Sequence, residues 1–143
     1  MRDFTIEKYR ELCQALRDAD YALVNVYQYL TNHSDRKVAV IRHDVDRKPE
    51  NARAVARLEH SLGICSTYYF RYPATFVPEI IKEICDLGHE VGYHYEALAK
   101  TKGDYEKAIA LFTRELAEFR EIYDVRTICM HGSPLSRYDN RDL

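Results

Sequence analysis

The sequence predicts an α/β fold in which parallel strands alternate with helices. Short apolar runs such as "KVAVIRHDV" and "HEVGYHYE" alternate with segments of 3.6-residue periodicity. A single helical segment separates most successive strands, the pattern of right-handed crossovers in a parallel sheet or barrel. Helix-stop glycines, Gly63 and Gly88, fall just before the next strand.

The elements follow in order. "TIEKYRELCQALRDAD" spaces Ile6, Tyr9, Leu12, Cys13 and Leu16 as a helix does, with Thr5 as its cap. "YALVNVYQYL" reads as a short strand entering a turn. "KVAVIRHDV" reads as one continuous strand, apolar enough to be buried on both faces. "KPENARAVARLEHSLG" is a helix with Pro49 in its first turn and Gly63 at its end. "CSTYYFRYP" is β-branched and aromatic, hence a strand. "VPEIIKEICDLG" is a helix opened by Pro78 and closed by Gly88, and "HEVGYHYE" is a strand. "GDYEKAIALFTRELAEFREIY" is a long helix, and "VRTICMHG" a last strand.

The 143 residues suit one domain with one core, spanning 1–143. No linker, low-complexity tract or repeat interrupts it. The formal net charge of -2, from 21 basic and 23 acidic residues, gives no global attraction to nucleic acid or an anionic membrane. "MRDFTIEKYR" is charged and lacks the apolar core of a signal peptide. Cys13, Cys65, Cys85 and Cys129 are widely spaced within apolar segments. They read as small buried thiols, not a disulfide framework, which fits a cytoplasmic location.

In parallel α/β folds, ligands bind at the carboxyl ends of strands. Here those ends carry His43, Asp44 and Asp46, then His94 and Glu96, then His131 followed by "GSPLSRYDNRDL". Residues two apart on a strand share a face. Asp44 and Asp46 therefore point together, as do Glu90, Gly92 and His94, while His43 points away. Gly92 is expected to leave room beside His94 for a ligand or backbone. Carboxylates and imidazoles from separate strands suit a divalent metal such as zinc, cobalt or nickel. An unligated carboxylate beside it suits a general base. Taken singly, Asp44 or Asp46 also reads as a cap for the helix at Pro49, and His94 as a core histidine. His89 reads as structural, and His33 and His60 as solvent-facing.

"IRHDVD", "GHEVGYHYE" and "MHGSPLSRYDNRDL" resemble the polysaccharide deacetylase family, the NodB-homology domains, in a branch whose first motif is His-Asp-Val-Asp. "STYYFR" is similar to that family's second barrel strand. The resemblance covers about residue 4 to 143. It implies a (β/α) barrel, here incomplete because the chain is short for the family. It also implies a metal-dependent hydrolase that removes an acetyl group from an N- or O-acetylated sugar or polysaccharide. A non-catalytic sugar- or metal-binding remnant of the family is the alternative.

Carried over by motif, Asp44 is the candidate base, Asp46 a metal ligand and His94 a second ligand. Val45 separates the two acids, so their roles are interchangeable at this stage. The family's usual second histidine falls on Leu98. The third ligand is then His131 or Glu96, with His131 preferred, and zinc the leading metal. Tyr69, Tyr93 and Tyr95 are candidate sugar-stacking rings, and Tyr138 and Arg141 candidate contacts to polar or anionic groups. The open sheet edge of a partial barrel suggests a homodimer that completes it.

Overall fold

The computed structural model describes residues 5–32 and 35–143; His33 lies outside them. Helix α1 (Ile6–Asp18) is capped by Thr5, whose hydroxyl accepts from Lys8 N–H at 3.2 Å. Strand β1 (Ala22–Val24) runs directly into helix α2 (Val26–Thr31), where the sequence suggested a turn. The reason is local. Asn25 accepts from Gln28 N–H at 2.7 Å, and the Gln28 side chain accepts from Asn25 N–H at 3.1 Å. That reciprocal capping box starts a helix within one residue of the strand.

The stretch expected as one strand is two, β2 (Val38–Val40) and β3 (Arg42–Val45). Strand β2 pairs parallel with β1; β3 opens a second parallel sheet with β4 (Thr67–Phe70), β5 (Glu90–Tyr95) and β6 (Ile128–Met130), in that order. Ile41 is the hinge. Its N–H donates to Val24 O at 2.9 Å, while its C=O accepts from Thr67 N–H at 3.0 Å. The strand thus changes partners at one residue, and the strands form an open, curled, half-barrel arrangement.

Helices α3 (Pro49–Ser61), α4 (Pro78–Asp86) and α6 (Tyr105–Arg120) make the crossovers, and a short helix α5 (Ala97–Lys100) follows β5. Neither Asp44 nor Asp46 caps α3. Its cap position is Lys48, which makes no side-chain cap bond. No helix among the described residues is long and apolar enough to cross a membrane.

Alternation divides the larger sheet cleanly. Val45, Tyr68, Phe70, Val91 and Tyr93 face the helices and form the core with Ile80, Ile81, Ile84 and Phe119. His43 lies on this face, stacked on Tyr68 with centroids 4.7 Å apart and bonded through Nε2 to buried Glu59 at 2.7 Å. Burial pushes the Glu59 carboxyl up, but the bonds from His43, Tyr68 and Tyr9 outweigh it and hold the group below its ordinary range.

The opposite face is polar and filled low down. Thr67 Oγ1 donates to Glu90 Oε2 at 2.5 Å, and Tyr69 OH donates to Thr127 Oγ1 at 2.8 Å. Gly92 offers no free space. A Cβ there would lie 2.3 Å from Tyr69 Cε1, so the Tyr69 ring already occupies the gap. With the lower interior plugged, the open chemistry lies at the carboxyl ends.

Candidate metal centre

Asp46 leaves β3 just past its end, His94 is the fifth residue of β5, and His131 follows β6 directly. Parallel pairing puts these three strand ends on one rim. Asp46 Oδ1 lies 3.5 Å from His94 Nε2 and 3.4 Å from His131 Nε2. All three ligand atoms fall within 4.8 Å of one another. For zinc–ligand bonds of about 2.0–2.1 Å, tetrahedral ligands stand about 3.3–3.4 Å apart. The two separations from Asp46 match that spacing, so these residues fit a divalent cation with three protein ligands and a position left over.

The surrounding bonds bear on the imidazoles. His94 Nδ1 faces Cys129 O at 3.0 Å; a proton there leaves the Nε2 lone pair directed at the acids. His94 is only 3 % exposed. His131 Nδ1 lies 3.3 Å from Glu96 Oε2 and 3.0 Å from Ser133 Oγ, either of which can accept its proton when Nε2 is a ligand. Ser133 N–H, 3.2 Å away, suits the other tautomer. Burial first, then the Arg71 charge, holds His131 below the ordinary histidine range, so a neutral ring is available at neutral pH.

Glu96, the other candidate third ligand, is engaged elsewhere. Arg71 Nη2 donates to its two oxygens at 3.0 and 2.8 Å, and Lys100 Nζ stands 3.5 Å away. It backs His131 instead of joining Asp46 and His94. Leu98, where the sequence resemblance set a second histidine, is 2 % exposed and packs with Ala97 and Ala108, away from the rim.

Asp44 sits beside the triad, its Oδ2 4.0 Å from His94 Nε2. It belongs to a second possible ligand group with His94 and Cys129. Arg42 occupies that group, bonding Asp44 Oδ2 at 2.6 Å and Cys129 Sγ at 2.9 Å. Sequence reasoning gave Arg42 no role and read Cys129 only as a small buried thiol, although alternation puts them two residues before Asp44 and His131. Only Cys13 of the four cysteines is buried; Cys65, Cys85 and Cys129 are half-buried, and all four thiols are free.

A pocket of about 1100 Å³ opens beside the triad, lined by Asp44, Asp46, Glu96 and His131 and by the 133–138 loop. None of the three expected stacking rings faces it. Tyr93 packs under α6 against Phe112 and Phe119, Tyr95 also meets Phe112, and Tyr69 fills the gap at Gly92. The same alternation that turns His94 inward turns Tyr93 and Tyr95 outward. Tyr138 is the aromatic on the pocket wall, whereas Arg141 pairs with Asp139 and is not part of it.

The fold and site together define a parallel α/β protein with a strand-end Asp-His-His group that could hold a divalent metal. No family model, curated protein or solved structure matches the chain.

Proposed function

We propose that this chain is a metal-dependent hydrolase of the polysaccharide deacetylase type, built on part of a (β/α) barrel, that removes an acetyl group from an acetylated sugar. The observation that carries the reading is the spacing of Asp46 from His94 and His131, 3.5 and 3.4 Å, at adjoining strand ends beside an open pocket. The motif order in the sequence supports it independently.

Asp46, His94 and His131 are the residues that would hold zinc or a similar divalent ion. When bound, such an ion supplies Lewis acidity toward the acyl carbonyl and the attacking water. Asp44 takes the proton of that water, its carboxylate held in place by Arg42. Arg71 fixes Glu96, and Glu96 in turn orients His131 from behind. Burial of His94 limits water on that side.

A second reading has one observation in its favour. Leu98 replaces the family's second histidine, so the chain would be a metal- or sugar-binding relative without turnover. Metal analysis and acetate release separate the two. The hydrolase reading expects about one zinc per chain, lost in Asp46→Ala and in His94→Ala, together with acetate release from acetylated sugars. Zinc binding without acetate release favours the second reading, and unchanged metal content in both variants overturns the site itself.

A further inference from the structure

We propose that the substrate of this centre carries a phosphate-type anionic group, held on the outer wall of the pocket by Arg47, Lys102 and Arg137. The proposal rests on the hydrolase reading only for which end of the substrate reacts; the anion subsite stands on its own side chains.

The chain as a whole is slightly acidic, with a formal net charge of -2. The pocket wall is not. Arg47, Arg71, Lys100, Lys102 and Arg137 line it against Asp44, Asp46 and Glu96. Two of the cations are matched: Arg71 by Glu96, and Lys100 by Glu115 at 3.0 Å with Glu96 beyond. Asp44 is matched from behind by Arg42. Among the described residues, Arg47, Lys102 and Arg137 form no ion pair. All three are exposed, so the wall carries positive charge beyond what its own acids neutralise.

The three come from separate segments, and packing holds two of them close. Lys102 lies in the turn after α5, and Arg137 in the loop after β6. A Cβ on Gly103 would fall 2.4 Å from Tyr138 Cε1, so Tyr138 closes directly over Gly103. Tyr138 also packs on the cluster of Ala97, Leu98 and Ala108. The Arg137 guanidinium lies 4.8 Å from the Tyr138 ring centroid and donates to its hydroxyl at 2.5 Å. Tyr138 thus anchors Arg137 next to the turn that carries Lys102. Arg47 enters from the far side, directly after Asp46.

The chemistry of the wall selects the ligand. A neutral sugar is held by aromatic faces and hydrogen bonds, but Tyr93 and Tyr95 are turned to the helix side, Tyr69 is packed into the gap at Gly92, and the Tyr138 ring on the wall is taken up by the Arg137 guanidinium. Guanidinium groups bind phosphate oxygens through paired, charge-assisted hydrogen bonds, and lysine adds a point charge. A volume of about 1100 Å³ accommodates a sugar together with a phosphate ester.

The probe is inorganic pyrophosphate, titrated calorimetrically into chelator-treated protein at low ionic strength. Lys102→Gly suits the left-handed backbone at that position, where φ is 55°, and Arg137→Gln removes charge from the loop. The proposal expects wild-type binding that weakens with added salt, and a loss of about tenfold or more in the double variant. Zinc affinity and the thermal midpoint should stay unchanged. No pyrophosphate binding by the wild type, or equal binding by the double variant, overturns the proposal. Zinc titration of the wild type reads the hydrolase proposal separately, so failure of one is distinguishable from failure of the other. A soluble and a lipid-linked phosphate ester share this chemistry. Binding of N-acetylglucosamine 1-phosphate without sedimentation on phosphatidic acid vesicles assigns the soluble form, and sedimentation lost in the double variant assigns the lipid-linked one.

Discussion

Arg42 holds Asp44 from two positions back on the same strand, its Nη2 donating to Oδ2 at 2.6 Å and its Nε to Oδ1 at 3.2 Å. The same guanidinium lies 5.3 Å from the Tyr69 ring centroid. One acid of the first motif is therefore tied to an arginine, while the other, Asp46, faces the two histidines. Two carboxylates one alternation apart have been given different surroundings.

That difference predicts different losses. Asp44→Asn should keep the bound zinc and lower acetate release by about 10²–10⁴-fold, the usual contribution of a general base. Asp46→Asn should lose the zinc itself. Metal analysis beside a rate measurement on both variants checks this; zinc lost from Asp44→Asn and retained by Asp46→Asn would exchange the two roles.

Gly92→Ala should destabilise the fold without touching a metal ligand. The new methyl would meet Tyr69 Cε1 at 2.3 Å and Thr127 O at 2.8 Å, one a packed ring and the other backbone. Overpacking of this kind costs about 1–3 kcal/mol. Urea denaturation measures it. Adding Tyr69→Ala should recover part of the loss if the ring is the obstacle, and no recovery would implicate the Thr127 carbonyl instead.

Alternation explains why part of this was legible in the sequence. A period of two separates Asp44 from His43 without any structure, and His43 is found on the helix side against Glu59. The rule applied equally to Tyr93, Tyr95, Arg42 and Cys129, where the signal was present and passed over. Other features lay beyond it. The change of strand partners at Ile41 depends on which neighbours the strand meets. The Tyr69 ring fills the space at Gly92 from an adjacent strand, a contact the spacing within one strand does not report. Capping at Asn25 was readable from Asn25 and Gln28, but a strand of only three residues left no boundary between strand and helix.

Leu98→His places an imidazole where the motif resemblance would have one, yet it should add no ligand. Leu98 is 2 % exposed within a cluster that Leu111, Phe112, Tyr138 and Leu143 pack against. An imidazole there is a buried polar group among apolar side chains, costing about 1–3 kcal/mol. Zinc affinity should match the wild type, and the thermal midpoint should fall. A tighter zinc site in Leu98→His would mean that α5 turns to present this position to the rim.

His89 should make stability depend on pH, in a window below the ordinary histidine value that it shares with His131. The ring is 2 % exposed. Its Nδ1 accepts from Ser66 N–H at 3.1 Å, and its Nε2 faces Ala56 O at 3.0 Å, which assigns the proton to Nε2. A second proton would point at the Ser66 N–H. Burial, the largest influence, pushes the ring below its ordinary value of 6.5, with the Ala56 bond and the Glu59 carboxylate 3.8 Å away opposing it. The unfolded chain therefore binds this proton more readily than the folded one, and stability rises with pH across the interval between the two pKa values. The contribution is complete above about pH 6.5 and is lost as pH falls from there toward the folded value. Glu59, also held below its ordinary range, acts lower, below its usual 4.5. Urea midpoints measured from pH 8 down to pH 5 should fall in the wild type and stay flatter in His89→Gln, which should be less stable by about 1–3 kcal/mol at pH 8. Parallel curves for the two proteins would show that His89 does not carry the dependence.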